Sequence, residues 1–380
     1  MTSLRKPLPE GRYAVFAGIL FAMVMGSIVL WLNRKQSVEV TLHGGPPTLE
    51  LSAIAVDDQH NVYVSSRTLN QVFRISADGR IRVVAGDGVR GFSGDGTLAT
   101  RAALAEPVGL AIARAGDLFV ADMGNNRVRQ IDPAGTIRTI AGDGTMGGRT
   151  NTPAIATGLY EPISIAMDSR EDLLIGGTTS IGIRRINAIT GIVSKVLGAG
   201  LPGVQSVGEP AAGPFWVAAS DDGEIYYSDP SRNAVSFLNE STGAVHRIAG
   251  SAICGFSGDG GPALDAKLCF PEGLAIGKDR KLYIADTGNN RIRVVDFRRG
   301  MIATVAGTGE PVHSGDEGPA SKAALRGPMG VALDDEGNLY IADTGNDCIR
   351  RIDSATGKIA TLVDASDILG VTRGGGSIRR

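Results

Sequence analysis

The sequence predicts an all-β protein, a six-bladed β-propeller preceded by one N-terminal transmembrane helix. Three observations predict it. A segment of similar sequence recurs six times along the chain. Gly is common, with 53 residues, while aromatic residues make up only 5%, which favours many short strands joined by turns. Finally, an apolar run without charge occupies residues 13–32.

The recurring segment defines a unit of four short strands. Its copies start at residues 53, 109, 164, 216, 273 and 330, so that successive starts lie 52 to 57 residues apart. One unit has four apolar runs between turn residues, which predict four antiparallel strands, as in a propeller blade. These runs are Gly273–Ile276, Lys281–Ala285, Arg291–Val295 and Met301–Ala306. A closed ring buries both faces of each blade.

Three copies carry nearly the same motif. The strings ADMGNNRVR, ADTGNNRIR and ADTGNDCIR start at Ala121, Ala285 and Ala342, and each follows a P-x-G-[LV]-A strand. They resemble the NHL repeats of a bacterial, membrane-anchored NHL-repeat family, and the segment GFSGDGGPALDAKL from Gly255 is similar to the linker common in bacterial NHL proteins. The resemblance covers about residues 50–365. It is weaker in the third copy, where Gly177 replaces the motif Asp, and in the fourth, which keeps only Asp229.

The apolar run predicts a signal anchor. Tyr13–Leu32 has the length that a helix needs to cross a bilayer, and no small-x-small cleavage site follows it. Three basic residues precede the run and two follow it, which favours a cytoplasmic N-terminus and an extracytoplasmic propeller. The predicted organisation is therefore a short cytoplasmic N-terminus (1–12), the anchor (13–32), a linker with a possible closing strand (33–49), the propeller (50–366) and a flexible C-terminal tail (367–380).

The closure of the ring is left open by the sequence. Residues 38–42 (VEVTL) resemble a fourth strand, but residues 358–363 already supply one for the last blade. Either segment fits the edge of that blade.

Charge argues against nucleic acid as a partner. The formal net charge is −2, and since the first 37 residues carry +4, the remainder carries −6. A nucleic-acid surface needs clustered Lys and Arg, and none follows residue 38.

Strand alternation places the candidate binding residues on one face. Turns between second and third strands share a face with the loops that join blades, and we call it the loop face. The candidates are Asp95, Asp259 and Asp316 in the loops, and Asn125, Asn289 and Asn346 in the turns. The competing interpretation is structural: Asp and Asn cap turn amides, and the Gly-rich loops are ordered covers.

A possible metal site lies at the mouth of the propeller axis. Glu50, Glu106 and Glu161 start the innermost strands of three consecutive blades in the same register. Converging carboxylates could bind Ca²⁺ or another divalent cation, as in regucalcin or gluconolactonase-like propellers, or they could be solvated or paired with Arg. The four His residues share no repeat position, which argues against His-based catalysis. No other cofactor is indicated.

Cys254 and Cys269 flank the loop between the fourth and fifth blades. The corresponding positions between the first two blades are Arg90 and Ala105, so both positions differ together. In an extracytoplasmic protein a disulfide explains the pair, and the alternative is two unrelated small apolar side chains. Cys348 has no evident partner.

The NHL resemblance implies a non-catalytic binding module for a protein or carbohydrate, tethered to the membrane. The alternative is a metal-dependent hydrolase or lyase that uses the axial mouth. The sequence leaves the question of enzymatic activity open, with the absence of HExxH, GxSxG and Walker A motifs against it.

Overall fold

The computed structural model describes residues 48–177, 182–197, 216–220 and 222–374. The predicted anchor (13–32) and the possible closing strand at 38–42 lie outside these residues. Within the described ranges, no helix combines the length and apolarity needed to cross a membrane.

Six antiparallel sheets form six blades, which confirms the propeller. In each blade the four strands pair in chain order, from an inner strand to an outer strand. The first three blades are β1 (Leu51–Val56), β2 (Val62–Ser66), β3 (Gln71–Ile75) and β4 (Ile81–Ala85); β5 (Pro107–Ile112), β6 (Leu118–Asp122), β7 (Arg127–Ile131) and β8 (Ile137–Ala141); and β10 (Pro162–Met167), β11 (Leu173–Gly177), β12 (Ile183–Ile186) and β13 (Ile192–Leu197), with the short β9 (Thr152–Pro153) beside β13.

The other three blades repeat this order. They are β14 (Trp216–Ala219), β15 (Ile225–Asp229), β16 (Ala234–Asn239) and β17 (Ala244–Ala249); β19 (Pro271–Ile276), β20 (Lys281–Asp286), β21 (Arg291–Asp296) and β22 (Met301–Ala306), with β18 (Gly261–Pro262) beside β22; and β23 (Val331–Leu333), β24 (Leu339–Asp343), β25 (Cys348–Ile352) and β26 (Ile359–Val363). Short 3₁₀ turns lie at Ala99–Arg101, Met123–Asn125, Ala154–Ala156, Pro230–Arg232, Ala263–Asp265, Thr287–Asn289, Ala320–Lys322 and Thr344–Asn346.

The hydrophobic core lies between neighbouring blades. Ala121 and Val128 of the second blade, for example, share a buried cluster with Ile165 and Ile175 of the third. A strand such as β6 is buried along its whole length, because each of its faces meets a neighbour. This is why the strands read as continuous apolar runs rather than as an alternation of apolar and polar residues.

The inner strands pack closely around the axis. A Cβ atom on Gly109, Gly273 or Gly330 would collide with the backbone of the next inner strand, so the Gly of the P-x-G motif permits this approach. Trp216 holds the same register in the fourth blade. It is 6% exposed and lines, with the other inner strands, a central cavity of about 50 Å³. The axis is therefore narrow and partly filled by an indole ring.

A C-terminal helix seals the seam between the last and first blades. The fourth strand of the last blade is β26, and it is followed by α1 (Ala365–Gly374), which contacts β4. Ile368 and Val371 are buried with Phe73 of the first blade and Ile349 of the sixth. The prediction of a flexible tail at 367–380 was thus wrong as far as residue 374. The reason is that these apolar side chains pack at a junction that no blade-to-blade loop spans.

Candidate binding face and axial mouth

The motif Asp122 fixes the loop face of the second blade. Its carboxylate accepts hydrogen bonds from the Ala105 amide (2.7 Å) and Asn125 Nδ2 (2.8 Å), and Arg129 donates to it at 3.3 Å. Arg129 is fully buried and also donates to Asp95 at 2.8 Å. Asn125 in turn donates to the Gly91 carbonyl (2.6 Å). These bonds confirm that the motif turn and the loop lie together.

The fifth and sixth blades repeat the same network. Buried Arg293 lies between Asp286 and Asp259, and buried Arg350 lies between Asp343 and Asp316. Asn289 and Asn346 bond the matching Asp at 2.8 Å and a loop carbonyl at 2.7 and 3.2 Å, respectively. Burial raises the pKa of Asp122 to about 6 and also raises the pKa of Asp286 and Asp343, although the amide, Asn and Arg partners lower it.

Most of these Asp residues do not cap the turn that follows them, although capping is a common role of Asp before a turn. In the second, fifth and sixth blades the carboxylate makes no cap bond to the following turn and instead accepts the amide that ends the preceding loop. Only Asp229 of the fourth blade caps its turn, through the Arg232 amide. The motif Asp thus joins a loop to a blade.

A second recurring residue joins one blade to the next at five junctions of the described residues. It is left-handed in backbone, with φ near +50°, and its side-chain oxygen accepts the amide at the start of the following blade. Asn tolerates this conformation better than most residues, which explains its recurrence. The pairs are Asn70 with Glu106 (3.0 Å), Asn126 with Glu161 (3.0 Å), Asn233 with Phe270 (2.9 Å), Asn290 with Gly327 (2.8 Å) and Asp347 with Leu49 (2.7 Å).

All six predicted binding-face residues therefore have partners inside the fold. Asp95, Asp259 and Asp316 keep 37–43% of their side-chain surface exposed, at the rim of the loop face. Asn125, Asn289 and Asn346 hold the loops in place. These contacts show that all six residues support the fold, and their direct role in ligand binding stays a prediction.

The structure joins Cys254 to Cys269 in a disulfide with Cα atoms 4.3 Å apart. The Cys269 amide also donates to Asp286, so the disulfide ties Cys254, near the start of the loop, to the motif network. Cys348 is buried and free. Burial raises the pKa of its thiol.

We expect reduction of this disulfide to lower the free energy of unfolding by about 2–3 kcal/mol, because the bond closes a loop of 15 residues. Urea unfolding with and without reductant measures the difference. A Cys254→Ser/Cys269→Ser variant should match the reduced protein and be insensitive to reductant. Equal stability of the oxidised and reduced wild type would contradict this role.

The axial mouth holds more Arg than the sequence suggested. Glu50, Glu106 and Glu161 all start their blades with left-handed backbone. Arg67 lies 3.7 Å from Glu50 and 3.9 Å from Glu106, and Arg90 lies 2.9 Å from Glu106. Within the described residues these three carboxylates do not form a group of donor atoms close enough to share one metal ion.

Two carboxylates of the mouth each have one oxygen without a hydrogen-bond partner. They are Glu161 and Glu272, each with a buried oxygen that accepts no bond. Burial, and then the Glu106 carboxylate, raise the pKa of Glu161 to about 7, and burial raises the pKa of Glu272 to about 7. Sequence reasoning missed Glu272, whose only signal is its position between Pro271 and Gly273 on an inner strand.

Another donor group lies on the opposite face, at the seam between first and last blades. His60 Nδ1 lies 3.6 Å from Asp334, and His60 Nε2 lies 3.7 Å from Asp335. Asp334 already accepts from Asn338 and Tyr340, which accounts for its carboxylate. The His60 contacts therefore link the first and last blades, and the Asp334 carboxylate is already hydrogen-bonded within the last blade.

Comparison with known proteins identifies the repeat. The family model described as NHL repeat matches residues 268–295, and that of the teneurin NHL domain matches residues 302–373. The chain contains NHL repeats.

Relatives of the NHL propeller are longer proteins. The chain is 28% identical over 285 residues to Protein SUPPRESSOR OF QUENCHING 1, chloroplastic, of Arabidopsis thaliana, and the match covers 69% of this chain and 26% of that protein. It is 27% identical over 304 residues to NHL repeat-containing protein 2 of Gallus gallus, covering 70% of this chain and 41% of the relative. The chain thus spans less than half the length of these relatives.

A solved structure shows the same fold. The NHL propeller superposes with a TM-score of 0.60 on an auxiliary nutrient binding protein from Bacteroides thetaiotaomicron, at 13% identity, over 83% of this chain and 70% of that one. At this identity the likeness establishes the fold alone.

Large apolar side chains project from the loop face of the NHL propeller. Four loops that join an outer strand to the next inner strand each expose one near the loop's start. They are Val89 (63% exposed), Met146 (60%), Ile253 (60%) and Val312 (51%). Two of these loops are fixed by an Arg over a Phe ring, with Arg127 3.9 Å above Phe92 and Arg291 3.7 Å above Phe256.

We expect the raised pKa of Glu272 at the axial mouth to make the free energy of unfolding fall as the pH rises. The folded-state pKa of Glu272 exceeds its value in the unfolded chain, so protonation of Glu272 stabilises the folded protein. This stabilisation is complete below about pH 4.5 and is lost as the pH rises to about 7. The variant Glu272→Gln should therefore gain about 1–2 kcal/mol over wild type at pH 8.5 and little at pH 5, after allowance for partial solvation.

Urea unfolding at the two pH values measures this difference. Glu310→Gln, at an exposed loop carboxylate outside the mouth, controls for the loss of one negative charge. A gain for Glu272→Gln that is the same at pH 5 and pH 8.5 would contradict the assignment.

Proposed function

We propose that this NHL propeller is a non-catalytic binding module that presents its loop face to a protein or carbohydrate partner. One observation carries the proposal: the recurring polar residues bond within the fold, whereas Val89, Met146, Ile253 and Val312 are exposed on four loops of one face. Single exposed apolar residues are ordinary on a protein surface. Their recurrence at the start of four related loops is what favours a contact surface.

The fold suits this role. Loops of a propeller vary without disturbing the blades, so a binding surface can be built on them. The nutrient binding protein with this fold is one example of a propeller in a binding protein. Because that likeness concerns the fold alone, the ligand class for this chain rests on its own surface.

We further propose that residues 13–32 anchor the propeller to a membrane with the propeller outside the cytoplasm. The support is the 20-residue uncharged run and the basic residues before it. A disulfide in the propeller agrees with an oxidising compartment. Protease added to intact cells should remove the propeller, whereas full protection that is lost only on lysis would overturn the proposed orientation.

Site-specific photo-crosslinking of the full chain in its native membrane tests the binding face. A photoreactive residue at Val89 or Ile253 should give discrete adducts, and mass spectrometry distinguishes peptide from glycan adducts. Ile189 is the matched control, since it is 94% exposed in a turn on the opposite face. Adducts that form equally from Ile189 and Ile253 would overturn the proposed face.

A second candidate function is a metal-dependent hydrolase or lyase at the axial mouth. The observation in its favour is that Glu161 and Glu272 have raised pKa values and unpaired oxygens, as catalytic carboxylates often do. Calorimetric titration with Ca²⁺ and Zn²⁺ tests it. Binding that disappears in Glu106→Ala would support this function, and its absence in wild type would retire it.

A further inference from the structure

The third blade breaks the pattern of buried Arg residues. On the third strand of the second, fifth and sixth blades, Arg129, Arg293 and Arg350 are 0% exposed, and each lies between a motif Asp and a loop Asp. Arg184 holds the same position in the third blade. The register shows this: Arg184 is opposite Lys195, as Arg129 is opposite Thr139 and Arg293 opposite Thr304.

Both carboxylates of the pattern are missing around Arg184. The motif Asp is replaced by Gly177, the last residue of β11. The loop Asp is replaced by Thr150. In the second blade the residue after Asp95, Gly96, donates its amide to the carbonyl of Ile137. In the third blade the residue after Thr150, Asn151, donates in the same way to Val193. On the neighbouring strand, Lys195 replaces the Thr. The third blade thus lacks both carboxylates that pair with the buried Arg in the second, fifth and sixth blades.

Arg184 is nevertheless buried. Its residue surface is 4% exposed, and its Nη1 donates a hydrogen bond to the Arg149 carbonyl at 3.2 Å. Its Nε has no acceptor, as in Arg129, Arg293 and Arg350, but unlike them it has no carboxylate partner among the described residues. The guanidinium lies so close to Gly148 that a Cβ there would collide with it. The loop backbone therefore holds the side chain in place.

An unpaired buried guanidinium is costly. Arg does not deprotonate in proteins, so it cannot escape the cost of desolvation by losing its charge. Burial lowers the pKa of Arg184, and burial together with the Arg184 charge lowers that of Lys195.

We propose that the third blade binds an oxyanion at Arg184, in the place that Asp95 occupies in the second blade. The ligand is a group with two acceptor oxygens, either phosphate-like or carboxylate, which the fork of the guanidinium binds through paired hydrogen bonds. Lys195, opposite Arg184 on the adjacent strand, places a second basic side chain beside the site. The place is accessible, because Thr150 is exposed and Asp95, Asp259 and Asp316 are each exposed by 37–43%.

Anion titration of the full chain in detergent tests the site. Inorganic phosphate, sulfate and acetate are titrated calorimetrically at constant ionic strength, and their relative affinities distinguish a tetrahedral from a planar anion. The key variant is Thr150→Asp, which restores the missing loop carboxylate. We expect at least one anion to bind wild type and to bind this variant roughly tenfold or more weakly.

Two further variants keep the result interpretable. Thr100→Asp adds the same charge at an exposed position of the related first loop and should bind the anion as wild type does. Thr150→Asp should unfold at a higher temperature than wild type in anion-free buffer, and saturating anion should narrow the gap. Absence of anion binding to wild type, or equal binding to Thr150→Asp and wild type, would overturn the proposal.

Discussion

Replacing Asp286 by Ala is expected to lower the free energy of unfolding by about 3–5 kcal/mol, since it leaves the fully buried Arg293 without its inner carboxylate. The change also removes the acceptor of the Cys269 amide and of Asn289. The Cys269 amide would then be buried without its acceptor, while Arg293 would keep only Asp259 and loop carbonyls, and Asn289 only the Gly255 carbonyl. Urea unfolding of the purified protein, followed by far-UV circular dichroism, measures the loss.

The fourth blade supplies the matched control for this prediction. Asp229 has the same register and is also buried, but Ser236 replaces the Arg on the adjacent strand. Asp229→Ala removes a turn cap and should cost only about 1–2 kcal/mol. In the double variant Asp286→Ala/Arg293→Met the loss should be smaller than in Asp286→Ala alone. Equal losses for Asp286→Ala and Asp229→Ala would contradict the role assigned to the buried Arg.

Ile368→Ala in the C-terminal helix is expected to lower the free energy of unfolding by about 2–4 kcal/mol. Ile368 is 0% exposed and packs in the cluster that joins the first and sixth blades. The cavity would open at the junction between the last and first blades. There, in the described part of the chain, the outer strand β26 is followed by α1 and not by a loop to another blade. The ring should therefore loosen at this seam.

Ile189→Ala makes the same chemical change at a side chain that is 94% exposed, and it should stay within about 0.5 kcal/mol of wild type. Hydrogen exchange followed by mass spectrometry locates the effect. Faster exchange in β1, β4, β25 and β26 is expected for Ile368→Ala, whereas an effect spread evenly over all six blades would contradict the seam assignment.

The architecture could be predicted from the sequence because it repeats. Each blade presents the same apolar runs and turn residues, and a unit that recurs six times must find a closed arrangement to bury its faces. The C-terminal helix occurs once and is only 10 residues long, so no repeat revealed it. Its stability depends on the seam it packs into, which is a tertiary property.

The candidate site could be predicted only in outline. The recurrence of Asn126 and Asn290 marked a turn, but the bonds that they accept come from Glu161 and Gly327, more than 30 residues away in sequence. The register aligned Glu50, Glu106 and Glu161, but it could not place Arg67 between two of them. Side-chain direction and long-range pairing decided both cases.

The most direct test of the central claim compares partner binding by two charge variants. Once crosslinking has identified the partner, its affinity is measured for Ile253→Glu on the loop face and for Ile189→Glu on the opposite face. We expect Ile253→Glu to bind roughly tenfold or more weakly, with unchanged unfolding, and Ile189→Glu to bind as wild type does. Equal affinity of both variants and wild type would contradict a binding surface on the loop face.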